Sequence, residues 1–266
     1  KAAVLGVLDR EFLGMGAEVQ QFEQKLSDFF GRPAVCIANG TAALQLALQA
    51  VGVGIGDEVL VPSLTYVASF QAISATGAKP VACDVRPDSL TLDWRDAEQR
   101  ITKRTKAIMP VHYAGGVTGL YEINSFAEKH GLRVVEDAAH AFGTVFQGQR
   151  VGGFGDIACF SFDGIKNITS GEGGCVVTND KKVIQSIKDS RLLGIQGDTK
   201  KRYKNSRTWV PVVNYQGWRY HMSNIMAAIG IVQLKRFKIL SLKRKKLAKF
   251  YDKKLLDQKN ILTFKQ

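Results

Sequence analysis

Cysteine is scarce and scattered. Cys36, Cys83, Cys159 and Cys175 are the only four in 266 residues, and no two of them form a C-x-x-C pair. That spacing speaks against zinc and dithiol redox motifs, and predicts buried, reduced thiols of a cytoplasmic protein rather than a disulfide framework. Long hydrophobic runs are missing as well: no stretch approaches the roughly 18 apolar residues that suggest a membrane span. The opening KAAVLGVLDREF is a short apolar stretch closing on charges, which argues against a signal peptide. The four histidines show no metal-ligand spacing. Neither an internal repeat nor a low-complexity linker is present. What remains is a chain with 45% hydrophobic and 23% charged residues, ordinary for a globular protein and long enough to bury a substantial core.

Acidic residues are scarce at one end. Residues 1–180 hold 15 Lys/Arg and 20 Asp/Glu, whereas 181–266 hold 22 and 4, so the net charge of +13 comes from the last third. The densest run is LKRFKILSLKRKKLAKFYDKK, 234–254. Such a block could bind nucleic acid or an acidic membrane. The reading preferred here is the solvated face of a long helix with Leu240, Leu247 and Tyr251 as its buried stripe. Its aromatics are not interleaved as stacking platforms, and no nucleic-acid motif accompanies the charge. The converse gap lies upstream: between Val151 and Asp180, Lys166 is the sole Lys or Arg.

The first 180 residues alternate short apolar runs with amphipathic segments, the pattern of an α/β protein. Strands are predicted at AVCIA (34–38), EVLVP (58–62), KPVACDV (79–85), KAIMPVHY (106–113), LRVVEDA (132–138), DIACFSF (156–162) and GGCVVTN (173–179). EVQQFEQKLSDFF (18–30) puts Val19, Phe22, Leu26, Phe29 and Phe30 on one helical face. Further helices follow Asn39 or Thr41, and occupy YVASFQAISATG and LYEINSFAEKHG. Continuous apolar strands separated by helices predict a largely parallel sheet covered on both faces. After Asp180 the pattern turns helical, through VIQSIKDSRLLG, a polar stretch at 196–208, and a helix at 223–237 capped by Ser223 with Ile225, Ile229 and Val232 inward.

In open α/β sheets, ligands collect at the carboxyl ends of the strands. Three features fall there. ANGTAAL ends a strand on Asn-Gly-Thr and enters a helix directly, so Gly40, Thr41 and the free N–H groups could take an anion, although helix capping explains the residues equally well. In VVEDAAH, Asp137 ends an apolar strand where an unpaired carboxylate is costly; it is either a cap, a structural ion pair or a functional group. Glu136 alternates to the opposite face and reads as structural. In FSFDGIKNITSGEGG, Ser161 and Lys166 precede a turn containing Gly171, Gly173 and Gly174, and an amine among apolar walls is more nucleophilic toward a carbonyl. A phosphate anchor, a ring-facing carboxylate and a Schiff-base lysine together are what pyridoxal phosphate requires.

With these residues in view, the chain resembles the DegT/DnrJ/EryC1/StrS group of pyridoxal-phosphate-dependent sugar aminotransferases. GMGAEVQQFE, ANGTAALQLAL, GVGIGDEVLVPSLTYVAS, GAKPVACDV, TKRTKAIMPVHYAG, VVEDAAHAFGT, VGGFGDIACFSF, IKNITSGEGGCVVTND and MSNIMAAIGIVQLKR carry the resemblance in order, over residues 13–237. It implies the large domain of a fold-type I transferase over 1–237, with 238–266 a basic helical segment leading toward a small C-terminal domain that is largely absent here. It also implies Lys166 as the cofactor-linked lysine and proton carrier, Asp137 on the pyridine nitrogen, and Gly40, Thr41 and Ser161 on the phosphate. Tyr66 would stack on the ring and His140 lie near its hydroxyl, where many relatives have Gln; a capping or core histidine is the alternative. His112 and His130 are read as structural. Where many relatives read G-x-N-Y-R, this chain has GWRYHM (217–222), which leaves either Arg219 or His221 to reach the cofactor phosphate of a neighbouring subunit.

The activity implied is amino transfer from an amino acid, by analogy glutamate, to a keto group of a nucleotide-diphosphate sugar, in a homodimer. The HYAG, EDAAH and IKNIT forms look most like enzymes acting on 4-keto nucleotide sugars for surface polysaccharide or lipid A. Two other readings compete. Sugar dehydratases of the same fold replace the lysine by histidine, and Lys166 argues against that. A nucleic-acid-binding or regulatory protein would instead use the basic C-terminal region, with the α/β part as scaffold.

Overall fold

The computed structural model describes residues 1–195, 213, 215–256, 258 and 261. The polar stretch at 196–208 therefore lies outside the described residues. In chain order the helices are α1 (Ala2–Asp9), α2 (Ala17–Phe30), α3 (Gly40–Ala50), α4 (Val67–Ser74), α5 (Trp94–Arg100), α6 (Leu120–His130), α7 (Lys181–Ser190) and α8 (Asn224–Leu255). The strands are β1 (Ala34–Ile37), β2 (Glu58–Pro62), β3 (Lys79–Cys83), β4 (Thr105–Ile108), β5 (Arg133–Asp137), β6 (Val145–Phe146), β7 (Gln149–Arg150), β8 (Ile157–Ser161) and β9 (Gly174–Thr178).

Seven strands form one sheet in the order β1-β9-β8-β5-β4-β2-β3, and β6 and β7 form a separate hairpin. β3, β2, β4, β5 and β8 pair in parallel, whereas β9 runs antiparallel to both β8 and β1. The sheet is thus mostly parallel, as expected. All residues of β1, β2, β8 and β9 are buried, which is why these strands read as continuous apolar runs. The strand expected over 106–113 stops at Ile108; Pro110 carries no N–H, but its carbonyl accepts from Asp137 N at 2.9 Å.

Side-chain alternation sorts the core into two layers. Val35, Ile37, Val59, Val61, Ala107, Met109, Val135, Ile157, Cys159 and Val176 pack with α3 and α4 on one face. Cys36, Ala158, Phe160, Cys175 and Val177 pack with α2 and the start of α8 on the other, where Leu60, Ile108 and Val134 meet α5 and α6. By the same parity, Asp137 shares the α3–α4 face with Val135, and Glu136 points the other way. Glu136 is buried there, on the face predicted by its parity, 2.7 Å from His112 Nε2. The edge strand β1 is closed by side chains: Cys36 N donates to Glu23 Oε1 at 2.9 Å, and Arg191 Nη1 donates to Cys36 O at 2.7 Å.

Two expectations for α8 are corrected. Its inward face is Asn224, Ala227, Ala228, Gly230 and Ile231, not Ile225, Ile229 and Val232, of which the last is exposed. Small residues win that face because α2 lies close enough for Gly230 to sit on the ring of Phe22. Farther along, Leu247 and Tyr251 are exposed and Leu240 only half-buried, so no buried stripe forms over 238–255 among the described residues. The division expected after residue 237 falls within this continuous helix. No described helix is long and apolar enough to cross a membrane.

Candidate active site

The chemistry-bearing residues converge at the carboxyl edge of the parallel strands. β1 leads into Asn39, Gly40 and Thr41, β2 into Thr65 and Tyr66, β5 ends on Asp137, and β8 ends on Ser161, five residues before Lys166. At the first of these, Asn39 is the cap of α3: its Oδ1 accepts from Ala42 N at 2.8 Å, which settles the choice between Asn39 and Thr41. Thr41 is left exposed with its hydroxyl free of capping duty. Gly40 is there because of close approach. A Cβ at that position would stand 2.8 Å from Ser161 Cβ and 3.3 Å from Ser161 Oγ, so the cradle closes if any side chain is added.

Asp137 is buried and held on both oxygens. Oδ2 accepts from Ser69 Oγ at 2.7 Å, and Oδ1 accepts from Ala139 N at 3.2 Å. Ser69 is fully buried on α4 and shares a further 2.7 Å hydroxyl bond with Thr65. Neither Ser69 nor Thr65 was picked out from the sequence. A serine inside an apolar helix carries little signal, and Thr65 lies before the N-cap Tyr66, outside the helical periodicity.

His140 is half-buried beside these groups. Burial, first, and then the Lys166 amine lower its pKa below the usual histidine value, against the opposing pull of Asp137. Its Nδ1 faces Ala114 N at 3.4 Å, which leaves Nε2 as the ring N–H. Asn167 Nδ2 donates to the His140 carbonyl at 3.2 Å, tying the loop after β5 to the segment carrying Lys166. Tyr66 precedes α4 and is 71% exposed at this edge.

Several expectations are refined. Gly173 and Gly174 are set by close packing: added Cβ atoms would strike Ser170 Oγ and Met222 at the first, and the Asn39 main chain at the second. Lys166 is isolated in sequence but not in space, because Arg244 of α8 donates from Nη1 to Asn167 O at 2.7 Å, with Nη2 3.5 Å from Lys166 O. Arg219 is exposed, and His221 is half-buried with its Nδ1 unpartnered; no hydrogen bond among the described residues joins either side chain to the cluster. The lowered pKa of His221 follows from burial and then from Arg219 and Arg191.

A buried carboxylate, a lysine and a glycine-hydroxyl cradle at the start of a helix, all on one edge of this sheet, fit a pyridoxal phosphate molecule with its three handles: ring nitrogen, aldehyde and phosphate. Fold and donor set define a pyridoxal-phosphate-dependent transferase of the fold-type I class. The comparisons narrow this further. The chain belongs to the DegT/DnrJ/EryC1/StrS aminotransferase family, whose model matches residues 1–266. It is 43% identical to GDP-perosamine synthase of Caulobacter vibrioides over 98% of this chain and 68% of that protein. DesV of S. venezuelae superposes with a TM-score of 0.87 at 36% identity, covering 96% of this chain and 66% of that one. Spr1654 of Streptococcus pneumoniae, solved in PLP- and PMP-forms, superposes with TM-scores of 0.85 and 0.87 at 31% and 32% identity; each covers 96% of this chain, and 68% and 69% of that one. The chain thus spans about two thirds of the length of the relatives it matches. Its cofactor is pyridoxal phosphate, and its family chemistry is sugar amination.

Proposed function

We propose that this chain carries the cofactor-binding part of an enzyme that moves the amino group of glutamate to a keto carbon of a nucleotide-diphosphate deoxysugar. The observation that carries the reading is Asp137, a buried carboxylate fixed by Ser69 on the sheet face that also presents the Gly40–Ser161 cradle. When bound, pyridoxal phosphate supplies an electron sink for the charge left on the donor carbon once its proton departs. Asp137 would hold the proton on the ring nitrogen. The N–H groups at the start of α3, with the hydroxyls of Thr41 and Ser161, would bind the phosphate. Tyr66 would cover the ring, and Nε2 of the neutral His140 would donate to the ring oxygen. Lys166 Nζ would attach the cofactor and, once displaced by the donor amine, carry the proton leaving the donor's Cα.

The exposed Arg219 and the half-buried His221 support a homodimer in which this segment serves the partner's phosphate. The likeness to GDP-perosamine synthase supports a GDP-linked sugar as the first substrate to try; a role in surface polysaccharide or lipopolysaccharide assembly is part of the same proposal. The four buried free thiols suit a cytoplasmic location. An amine at 166 favours amino transfer over the dehydratase alternative.

The test is the visible spectrum of the purified protein reconstituted with pyridoxal phosphate. A yellow absorption that bleaches with glutamate and is absent in Lys166→Ala is expected, followed by transfer of label from ¹⁵N-glutamate to a GDP-linked keto sugar. A protein that takes up no cofactor but binds DNA in a salt-sensitive manner would overturn the reading in favour of the nucleic-acid alternative.

A further inference from the structure

We propose that Arg244, on the outer part of α8, is a positioning residue for Lys166 that acts through the main chain. The inference rests on the role given above to Lys166. The segment from Asp163 to Ile168 crosses the site with little packing on its front: Gly164 is exposed, and Ile165 is 88% exposed. Its own turn is held by Lys166 N on Asp163 O at 3.1 Å and by Ile165 N on Asp163 Oδ1 at 3.2 Å. These bonds fix the amide side of Lys166 and leave the carbonyls that follow it to be held by something else.

Arg244 holds them. Among the described residues it is the sole hydrogen-bond donor to the carbonyls of Lys166 and Asn167. It forms no ion pair with a described carboxylate, so the guanidinium fork is committed to the main chain. From the other side, Asn167 Nδ2 reaches the carbonyls of His140 and Phe142 at 3.2 and 3.5 Å. The same helix also touches that second loop. Phe237, seven residues before Arg244 and hence on the same helical face, packs on Gly143 and meets the ring of Phe142 at 5.1 Å. One face of α8 thus backs both the His140 loop and the Lys166 segment. A lysine that must reach a carbonyl and then a Cα proton needs its Cα held, since a displacement of about 1 Å at a reacting group can lower the rate on the order of 100-fold.

The experiment compares the parent chain with Arg244→Ala, Arg244→Met and Arg244→Lys, and with Lys249→Ala on the exposed side of α8 as control. Hydrogen exchange at amides 164–168 is read with and without pyridoxal phosphate, and the pH at which the visible absorption changes is read on the loaded protein. Loss of the charge-assisted bond should speed exchange of these amides by about tenfold in the Ala and Met variants. It should also move the spectroscopic pH midpoint and lower kcat by roughly 10- to 100-fold with KM for the sugar little changed. Arg244→Lys, which keeps a donor, should recover part of each effect, and Lys249→Ala should match the parent. Parental exchange and an unmoved midpoint in Arg244→Ala would overturn the proposal. If the parent itself takes up no cofactor, the functional reading fails while the exchange data still decide the brace.

Discussion

Replacing Ser69 by alanine removes one oxygen from the interior, and the structure says what that oxygen does. Ser69 is fully buried, and its hydroxyl is the sole side-chain donor to Asp137 among the described residues, at 2.7 Å. The alanine void is too small for a water molecule, so Oδ2 would be left buried with no donor. Hydrogen bonds to charged groups contribute about 1.5–3 kcal/mol, which sets the expected loss of stability in Ser69→Ala. For a chain of this size that corresponds to a fall in Tm of roughly 3–12 °C. Thr65, the other partner of Ser69, is half-buried and can turn to solvent, so it adds little. The carboxylate would also lose its orientation toward the ring nitrogen, and the Kd for pyridoxal phosphate should rise about tenfold, a difference of ~1.4 kcal/mol. Thermal melts of the cofactor-free protein measure the first effect, and absorbance titration with pyridoxal phosphate the second. A cycle with Asp137→Asn should show strong coupling between the two sites. If Ser69→Ala melts with the parent and the cycle is additive, the carboxylate is not held as described.

Gly40→Ala places a methyl group 2.8 Å from Ser161 Cβ, so either α3 or β8 must give way; a loss of about 1–3 kcal/mol and a larger loss of phosphate affinity are expected, read by melts with and without inorganic phosphate. His140 has a folded pKa below its ordinary 6.5, so the unfolded chain binds the extra proton first; its contribution is whole above that value and is lost as pH falls through the lowered one. Denaturant unfolding between about pH 5 and 8 should therefore show stability falling on the acid side, with a shallower slope in His140→Gln. His221 adds to the slope in the same sense and remains in that variant. Burial pushes Cys36, Cys159 and Cys175 up and Cys83 to about 11, so all four thiols should resist a disulfide reagent in the native protein and react together on unfolding.

The strands were readable because burial on both faces leaves no polar interruptions: EVLVP and DIACFSF announce themselves by composition alone. Parity along β5 also separated Asp137 from Glu136 before any coordinates, since neighbours on a strand cannot share a face. Ser69 escaped for the opposite reason. Its role depends on a helix and a strand that meet across 68 residues of chain, and a lone hydroxyl among alanine, phenylalanine and isoleucine has no local pattern to betray it. The stripe of Leu240, Leu247 and Tyr251 failed because periodicity states which residues share a helical face, not whether anything covers that face. Arg244 was lost in the run KRKK, where charge density suggested solvent or a polyanion. The distinguishing fact is geometric: a helix that begins packed on α2 and runs 32 residues in one direction carries one of those cations back over the segment after β8. A basic run can therefore contain a residue aimed at the protein's own main chain, and only the path of the helix tells it from its neighbours.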